Sequence, residues 1–320
     1  MIQTLRCDRK LLEQNLKGKT YIVTSANSGV GFETTSQLVS QGAHVIMGCR
    51  RVEAGKAVAQ QLTPLDGSVD ILPLDLGNKK SILQFNSSVK KKYKRIDGMV
   101  NNAGMVANGN EPTRTKEGYE VMFAINHLGH FLLTESLLDL IQASAPSRIV
   151  ILSSVGHAGN KKKRPTIHFD DLHYHQRPYN RTDAYCESKL ANLLYANELA
   201  DRLAGTGVTV TSVHPGWARS NLAGKGLTGF VQNVVLRPVA PLLTIMSNED
   251  AAQTSLHCLL EPSVVNHSGA YFSQNSLLYA DRECRRGGWP MESPNPHAKD
   301  IKLARKLTEV SYQLIGWEGK

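Results

Sequence analysis

Tyr185 and Lys189 stand four residues apart in Tyr185-Cys186-Glu187-Ser188-Lys189, within residues 184–203, where Leu190, Leu193, Leu194, Leu199 and Leu203 recur at helical spacing. On a helix that spacing puts both side chains on one face. A free phenol titrates near pH ~10, and a cation within about 4–6 Å lowers such a value by about 1–3 units. A tyrosine so placed is a general acid or base near neutral pH, a role typically worth about 10² to 10⁴ in rate. The bare pattern also arises by chance on solvated helices, so the rest of the chain has to decide its weight.

The elements needed to position such a pair are present. Residues 20–23 form a short β-rich run, followed by Thr24-Ser25-Ala26-Asn27-Ser28-Gly29-Val30-Gly31, a helical run over 32–40 and a second strand over 43–47 that ends at Gly48-Cys49-Arg50-Arg51. This is a βαβ unit with a glycine-containing turn at its first strand-to-helix junction. Backbone N–H groups there, backed by the positive end of the helix, suit a pyrophosphate. An acidic residue closing the second strand would hold the free 2′-hydroxyl of NAD, whereas Arg50 and Arg51 suit a 2′-phosphate, so NADP(H) is expected in preference to NAD(H). Further strands are expected at 71–74 before Asp75-Leu76, at 98–100 before Asn101-Asn102-Ala103-Gly104, at 148–152 before Ser153-Ser154, and at 208–213 before His214-Pro215-Gly216. Apolar strands alternating with helices imply a parallel sheet covered on both faces, with ligands beyond the strands' carboxyl ends, where every one of these motifs falls.

Composition narrows the class. With 41% hydrophobic and 20% charged residues over 320 positions and no linker or repeat, the chain reads as one globular α/β domain. Five scattered cysteines, at 7, 49, 186, 258 and 284, form no Cys-x-x-Cys pair, which argues against a disulfide framework or zinc site and for a reducing compartment. Residues 1–19 are polar, with no apolar run long enough for a signal peptide or a membrane span. A cytoplasmic protein is expected, soluble or peripheral on a membrane surface. The net charge of +9 concentrates in 90–95 and 161–164, read as a solvated helix end and a solvated loop; no aromatic-interleaved motif accompanies them, so no nucleic-acid partner is expected.

Thr24 to Gly31, Asn101-Asn102-Ala103-Gly104, Asn126, Ser154, Tyr185 to Lys189 and Pro215-Gly216 fall in the order and spacing of the classical short-chain dehydrogenases/reductases. The resemblance spans residues 18–272. Asn126-His127-Leu128-Gly129-His130-Phe131 and Ser188-Lys189-Leu190-Ala191-Asn192 resemble the branch holding the retinol dehydrogenases and the WW-domain oxidoreductase. The resemblance implies a single-domain doubly wound Rossmann fold over 1–320, its parallel sheet of about seven strands covered by helices on both faces. It also implies a catalytic set: Tyr185 as acid/base, Lys189 lowering its pKa and holding the nicotinamide ribose, Ser154 positioning the carbonyl, Asn126 steadying a proton-relay water. For the cofactor it implies Ser25, Asn27, Ser28, Gly29, Val30 and Gly31 at the pyrophosphate, Arg50 and Arg51 beyond the second strand, Asp75 and Leu76 by the adenine, Asn102, Ala103 and Gly104 along the cleft, and Pro215, Gly216 and Ser220 over the nicotinamide. The family's turn begins with glycine where this chain has Ser25; if that position needs positive φ, serine costs on the order of 1 kcal/mol.

Residues 155–184, with His157, His168, His173 and His175, read as a solvated or lid-edge loop, and no metal is expected because His173 and His175 lack a third ligand. Residues 217–246, glycine-hinged and apolar, read as a substrate lid, which suits a small, largely apolar carbonyl or alcohol such as a retinoid, steroid or lipid aldehyde. Packing over the sheet, or contact with a membrane, are readings of the same stretch that stay open. Leu303, Leu307, Val310 and Leu314 make a stripe on a helix over 297–316 that docks on the domain or on a second copy in a homo-oligomer. The rival to a working oxidoreductase is a nucleotide-binding interaction or redox-sensing protein with little turnover, supported by Ser25 alone.

Overall fold

The computed structural model describes residues 3–218 and 245–317. Seven parallel strands are ordered β3-β2-β1-β4-β5-β6-β9: Ser68–Pro73, His44–Cys49, Thr20–Thr24, Gly98–Asn101, Ser147–Leu152, Val208–His214 and Tyr271–Ser273. All but the edge strand β3, which is only partly covered, are largely buried on both faces, and they divide their side chains by the two-residue period of the pleat. Ile22, Ile46, Met99, Ile149 and Ile151 enter one core; Val23, Val45, Val100, Val150 and Leu152 enter the other.

The first core is closed by helices α4 (Lys79–Lys92), α6 (Gly129–Glu135), α8 (Arg181–Arg202) and α10 (Ile301–Ile315), the second by α2 (Gly29–Ser40) and α9 (Asn248–Leu260). Shorter helices α1 (Arg9–Leu12), α3 (Val52–Ala59), α5 (Val121–Phe123) and α7 (Leu138–Ala143) complete the described set. The strand order reverses direction between β1 and β4, which opens a crevice at their carboxyl ends.

One expectation needs correction. Helix α8 starts at Arg181, not 184, because the Asn180 side chain accepts the Asp183 N–H and caps it. The buried face of α10 is Ala304, Leu307, Thr308, Ser311 and Ile315; Leu303, Val310 and Leu314 are only half-buried. Small residues at 304, 308 and 311 let α10 lie close on α8, and Leu303 and Leu314 pack at the rim of the same core, so the expected stripe docks on the domain. The cations of both basic runs are exposed, as expected of a solvated helix end and loop, except the mostly buried Arg164, which pairs with Asp281 at 2.9 Å; Lys90 also pairs with Asp139 at 2.8 Å, Lys92 with Asp70 at 2.5 Å, and Arg95 and Lys163 with Asp97 and Asp183.

Candidate active site

Strand β1 ends in Thr24, whose hydroxyl accepts the N–H groups of Asn102 and Ala103 at 2.9 and 2.8 Å and lies 2.9 Å from His130 Nε2. This bolts the turn after β4 to the turn after β1. Ser25 follows with φ +53°, the left-handed region expected to disfavour a serine there. Gly31 is demanded by close approach: a Cβ on it would lie 2.5 Å from Asn102 Nδ2 and 2.6 Å from the Ser25 carbonyl. Gly29 takes φ +58° with open space where its side chain would be. Ser28 begins α2 without a side-chain cap, leaving the first-turn N–H groups to an outside acceptor. An uncapped helix end behind a glycine turn fits a dinucleotide's pyrophosphate. Arg50 and Arg51, beyond β2, are exposed, and among the described residues neither makes an ion pair. Asp75 turns back to accept the Gly77 N–H at 3.0 Å, and Leu76 is buried beside it.

Tyr185 and Lys189 lie on one face of α8, with the Lys189 Nζ 5.9 Å from the Tyr185 ring centroid. Nζ donates to the Leu152 carbonyl at 3.2 Å, and Ser153 Oγ fixes the Lys189 carbonyl at 2.7 Å, so the end of β5 and α8 are mutually braced. Ser154 lies beside the Tyr185 phenol and pulls its pKa down. A Cβ on Gly104 would come within 3.2 Å of Nζ and 3.7 Å of Asn126 Oδ1, which places the turn after β4 close against the lysine.

Asn126 sits in a π-helical turn, Ala124–Leu128, and its amide is fully used. Its Oδ1 accepts the Met105 N–H at 2.8 Å, while Nδ2 donates to the Met105 carbonyl at 3.1 Å and to Ser188 Oγ at 3.0 Å. Burial pushes Tyr185 up to about 12, against a lowering pull from Ser154, and pushes Lys189 down to about 8. The expected lowering of the phenol by the lysine is absent from this geometry. Desolvation is the leading cause for both groups.

These features converge at the switch point of the sheet, and comparison with known proteins agrees. Residues 19–165 match the model of the short chain dehydrogenases. Retinol dehydrogenase 13 of Homo sapiens is 39% identical over 307 residues, covering 95% of this chain and 86% of that protein. The chain belongs to the short-chain dehydrogenase family. Human retinol dehydrogenase 12 is likewise 39% identical, covering 95% and 89% of the two chains. A crystal structure from Mycobacterium paratuberculosis superposes with TM-score 0.72 at 29% identity over 95% of each chain. The protein is therefore an NAD(P)-dependent oxidoreductase acting on CH–OH groups, of the retinol dehydrogenase-like kind.

In this short-chain dehydrogenase, Pro215 and Gly216 follow β6, Gly216 with φ +92° and tight against Met246, while Ser220 lies outside the described residues. So do residues 219–244 of the expected lid; its ends meet, Trp217 and Ala218 pairing with Ile245 and Met246 as β7 and β8. The segment between Ser154 and Tyr185, expected as a solvated or lid-edge loop, is exposed over 160–163 and 180–182 but anchored at several points. His157, Ile167, Asp171 and Tyr174 are buried, and Asp171 accepts three backbone N–H groups from His175, Gln176 and Arg177. His173 accepts the Glu120 N–H at 3.3 Å and packs on Tyr119. His130 and His157, both enclosed and both bonded to site residues, are functional neighbours that spacing alone did not reveal.

Proposed function

We propose that this protein interconverts carbonyls and alcohols of small, largely apolar substrates, retinoid, steroid or lipid aldehyde in type, with NADP(H) preferred. The observation that carries the cofactor preference is the exposed, unpaired Arg50-Arg51 at the end of β2. The bound dinucleotide supplies or takes the hydride. Tyr185 gives its proton to the carbonyl oxygen in reduction; held near 12 by burial, the phenol is protonated at neutral pH as that direction needs. Ser154 hydrogen-bonds the same oxygen. Lys189 serves the ribose and a proton-relay water, and Asn126 acts by pinning Met105, and with it Gly104, beside Nζ. The apolar side of Tyr185 is supplied by Met105, Val106, Ala107, Val121 and Met122, which favours an apolar substrate. The names of the human relatives agree with a retinoid-type alcohol.

The test is turnover of apolar aldehydes with NADPH and NADH. NADPH should be preferred, Arg50→Ala with Arg51→Ala should erase the preference by about 10- to 100-fold in kcat/KM, equivalent to about 1.4–2.8 kcal/mol. Tyr185→Phe should cost at least about 10² in kcat. A clear preference for NADH refutes the cofactor assignment. Normal NADPH binding without turnover in the wild type favours the rival, a nucleotide-binding protein with little chemistry, which the left-handed Ser25 supports.

A further inference from the structure

Ser154 closes β5 and caps the short turn Val155–Ala158. Its main-chain carbonyl is held twice by His157, by the backbone N–H at 3.1 Å and by ring Nδ1 at 2.5 Å. A carbonyl only accepts, so Nδ1 carries the hydrogen and Nε2 is left as an acceptor. Nε2 faces Ser293 Oγ at 2.7 Å, whose hydroxyl must therefore donate. The tautomer is fixed from the Nδ1 side, and the Ser293 hydroxyl follows it.

The ring is 0% exposed, with Tyr271 edge-on at 4.7 Å between centroids. Burial pushes it down to about 4, so it stays neutral wherever the enzyme works. Asn295 adds a second tie from the same carboxyl-terminal stretch: its Nδ2 donates to the His157 carbonyl at 2.7 Å and to the Pro165 carbonyl at 2.9 Å. Its Oδ1 accepts the His297 N–H at 3.0 Å, so the amide is fully engaged. The turn that bears Ser154 is thus clasped by chain emitted more than a hundred positions later.

The aim of the Ser154 hydroxyl depends on that clasp. Oγ already accepts the Gly156 N–H at 3.1 Å, so a shift of the 154–157 backbone redirects the hydroxyl as well as moving it. We propose that His157 and Ser293 are positioning residues for the oxidoreduction: the carboxyl-terminal segment sets the Ser154 hydroxyl through one tautomer of a neutral His157. The inference rests on the assignment of Ser154 and Tyr185 to the reaction, and goes beyond it in naming what holds the serine.

Steady-state kinetics with NADPH and one apolar aldehyde test it, with thermal unfolding run on each variant. Asn places a donor where Nδ1 stands and Gln reaches only toward Nε2. His157→Asn should therefore keep kcat within about threefold, while His157→Gln loses about 10- to 100-fold, the range expected of a displacement near 1 Å. The cofactor KM should not move in either. Ser293→Ala, which strands Nε2 without a donor, should lower kcat severalfold with cofactor KM unchanged, and it serves in place of His157→Gln should that variant not fold. His157→Gln added to Ser154→Ala should cost nothing more, because the histidine acts only through the serine. Wild-type kcat in His157→Gln or Ser293→Ala, or full additivity with Ser154→Ala, overturns the proposal. Failure of the underlying site assignment is seen separately, as normal turnover in Ser154→Ala and Tyr185→Phe before His157 is touched.

Discussion

Single residues carried most of what was legible about the chemistry. The types and order of Asn126, Ser154, Tyr185 and Lys189 pointed to one crevice, and the fold brings them there because Ser154 follows β5, Tyr185 and Lys189 lie in the first half of α8, and Asn126 sits in the π-helical turn packed on α8. The protonation states were not legible. Proximity of a cation predicts a lowered phenol; enclosure, which no motif reports, reverses the sign and lowers the lysine instead. The pH dependence follows. Lys189 loses its proton above about 8, well below its ordinary 10.5, so the cation is present below that value and lost as pH rises through it. Carbonyl reduction should be level near neutrality and fall between about pH 7 and 9, measured as kcat against pH; a profile flat to pH 10 contradicts a working Lys189 cation. Ser25 is a second residue-scale case. Its φ of +53° costs a non-glycine residue about 1–2 kcal/mol, against about 0.5–1 kcal/mol of extra chain entropy that glycine would lose on folding. Ser25→Gly should therefore stabilise by about 0.5–1 kcal/mol in denaturant melts and tighten NADPH binding followed by fluorescence; weaker binding would show that the serine side chain helps hold the phosphate.

Elements were read well where periodicity is long and poorly where small residues or short segments decide. The sheet strands flanking the crevice were placed to within a few residues, but β9 is only Tyr271–Ser273, too short for its alternation to stand out. Helix α10 was recognised and its leucine stripe does pack on the core, but leucines at helical spacing hide the small residues Ala304, Thr308 and Ser311 that are buried beside them. The amide of α10's last turn is also anchored from outside: Tyr119 Oη donates to the Leu314 carbonyl at 2.6 Å and Lys79 Nζ to the Ile315 carbonyl at 2.5 Å. The two leucines separate the readings. Leu307→Ala, at a fully enclosed site, should cost about 2–5 kcal/mol by thermal or denaturant unfolding, and Leu303→Ala, half-buried, well under half as much. Equal costs would mean that the stripe rather than the small-residue face is the docking seam.

At the scale of the whole molecule, alternating strands and helices were enough to give the parallel sheet, and the reversal between β1 and β4 locates the crevice without reference to any motif. Long-range ties were beyond reach of pattern: the Arg164–Asp281 and His157–Ser293 contacts join stretches whose local sequence carries no mark of each other. The same holds for the basic runs, whose charge is partly answered by acids on other elements. Among the described residues no helix is long and apolar enough to cross a membrane.

The sheet's order also has a bearing on birth. Strand β6 is enclosed along its whole length, yet the neighbour that completes its outer side is β9, which leaves the ribosome only after α9 has been made. At about 5–20 residues per second the nascent chain carries a valine- and threonine-rich strand with one row of unpaired amides for several seconds. During that interval the protein is open to pairing with another unfinished copy, and factors that shield nascent chains should matter most between the emergence of His214 and that of Tyr271.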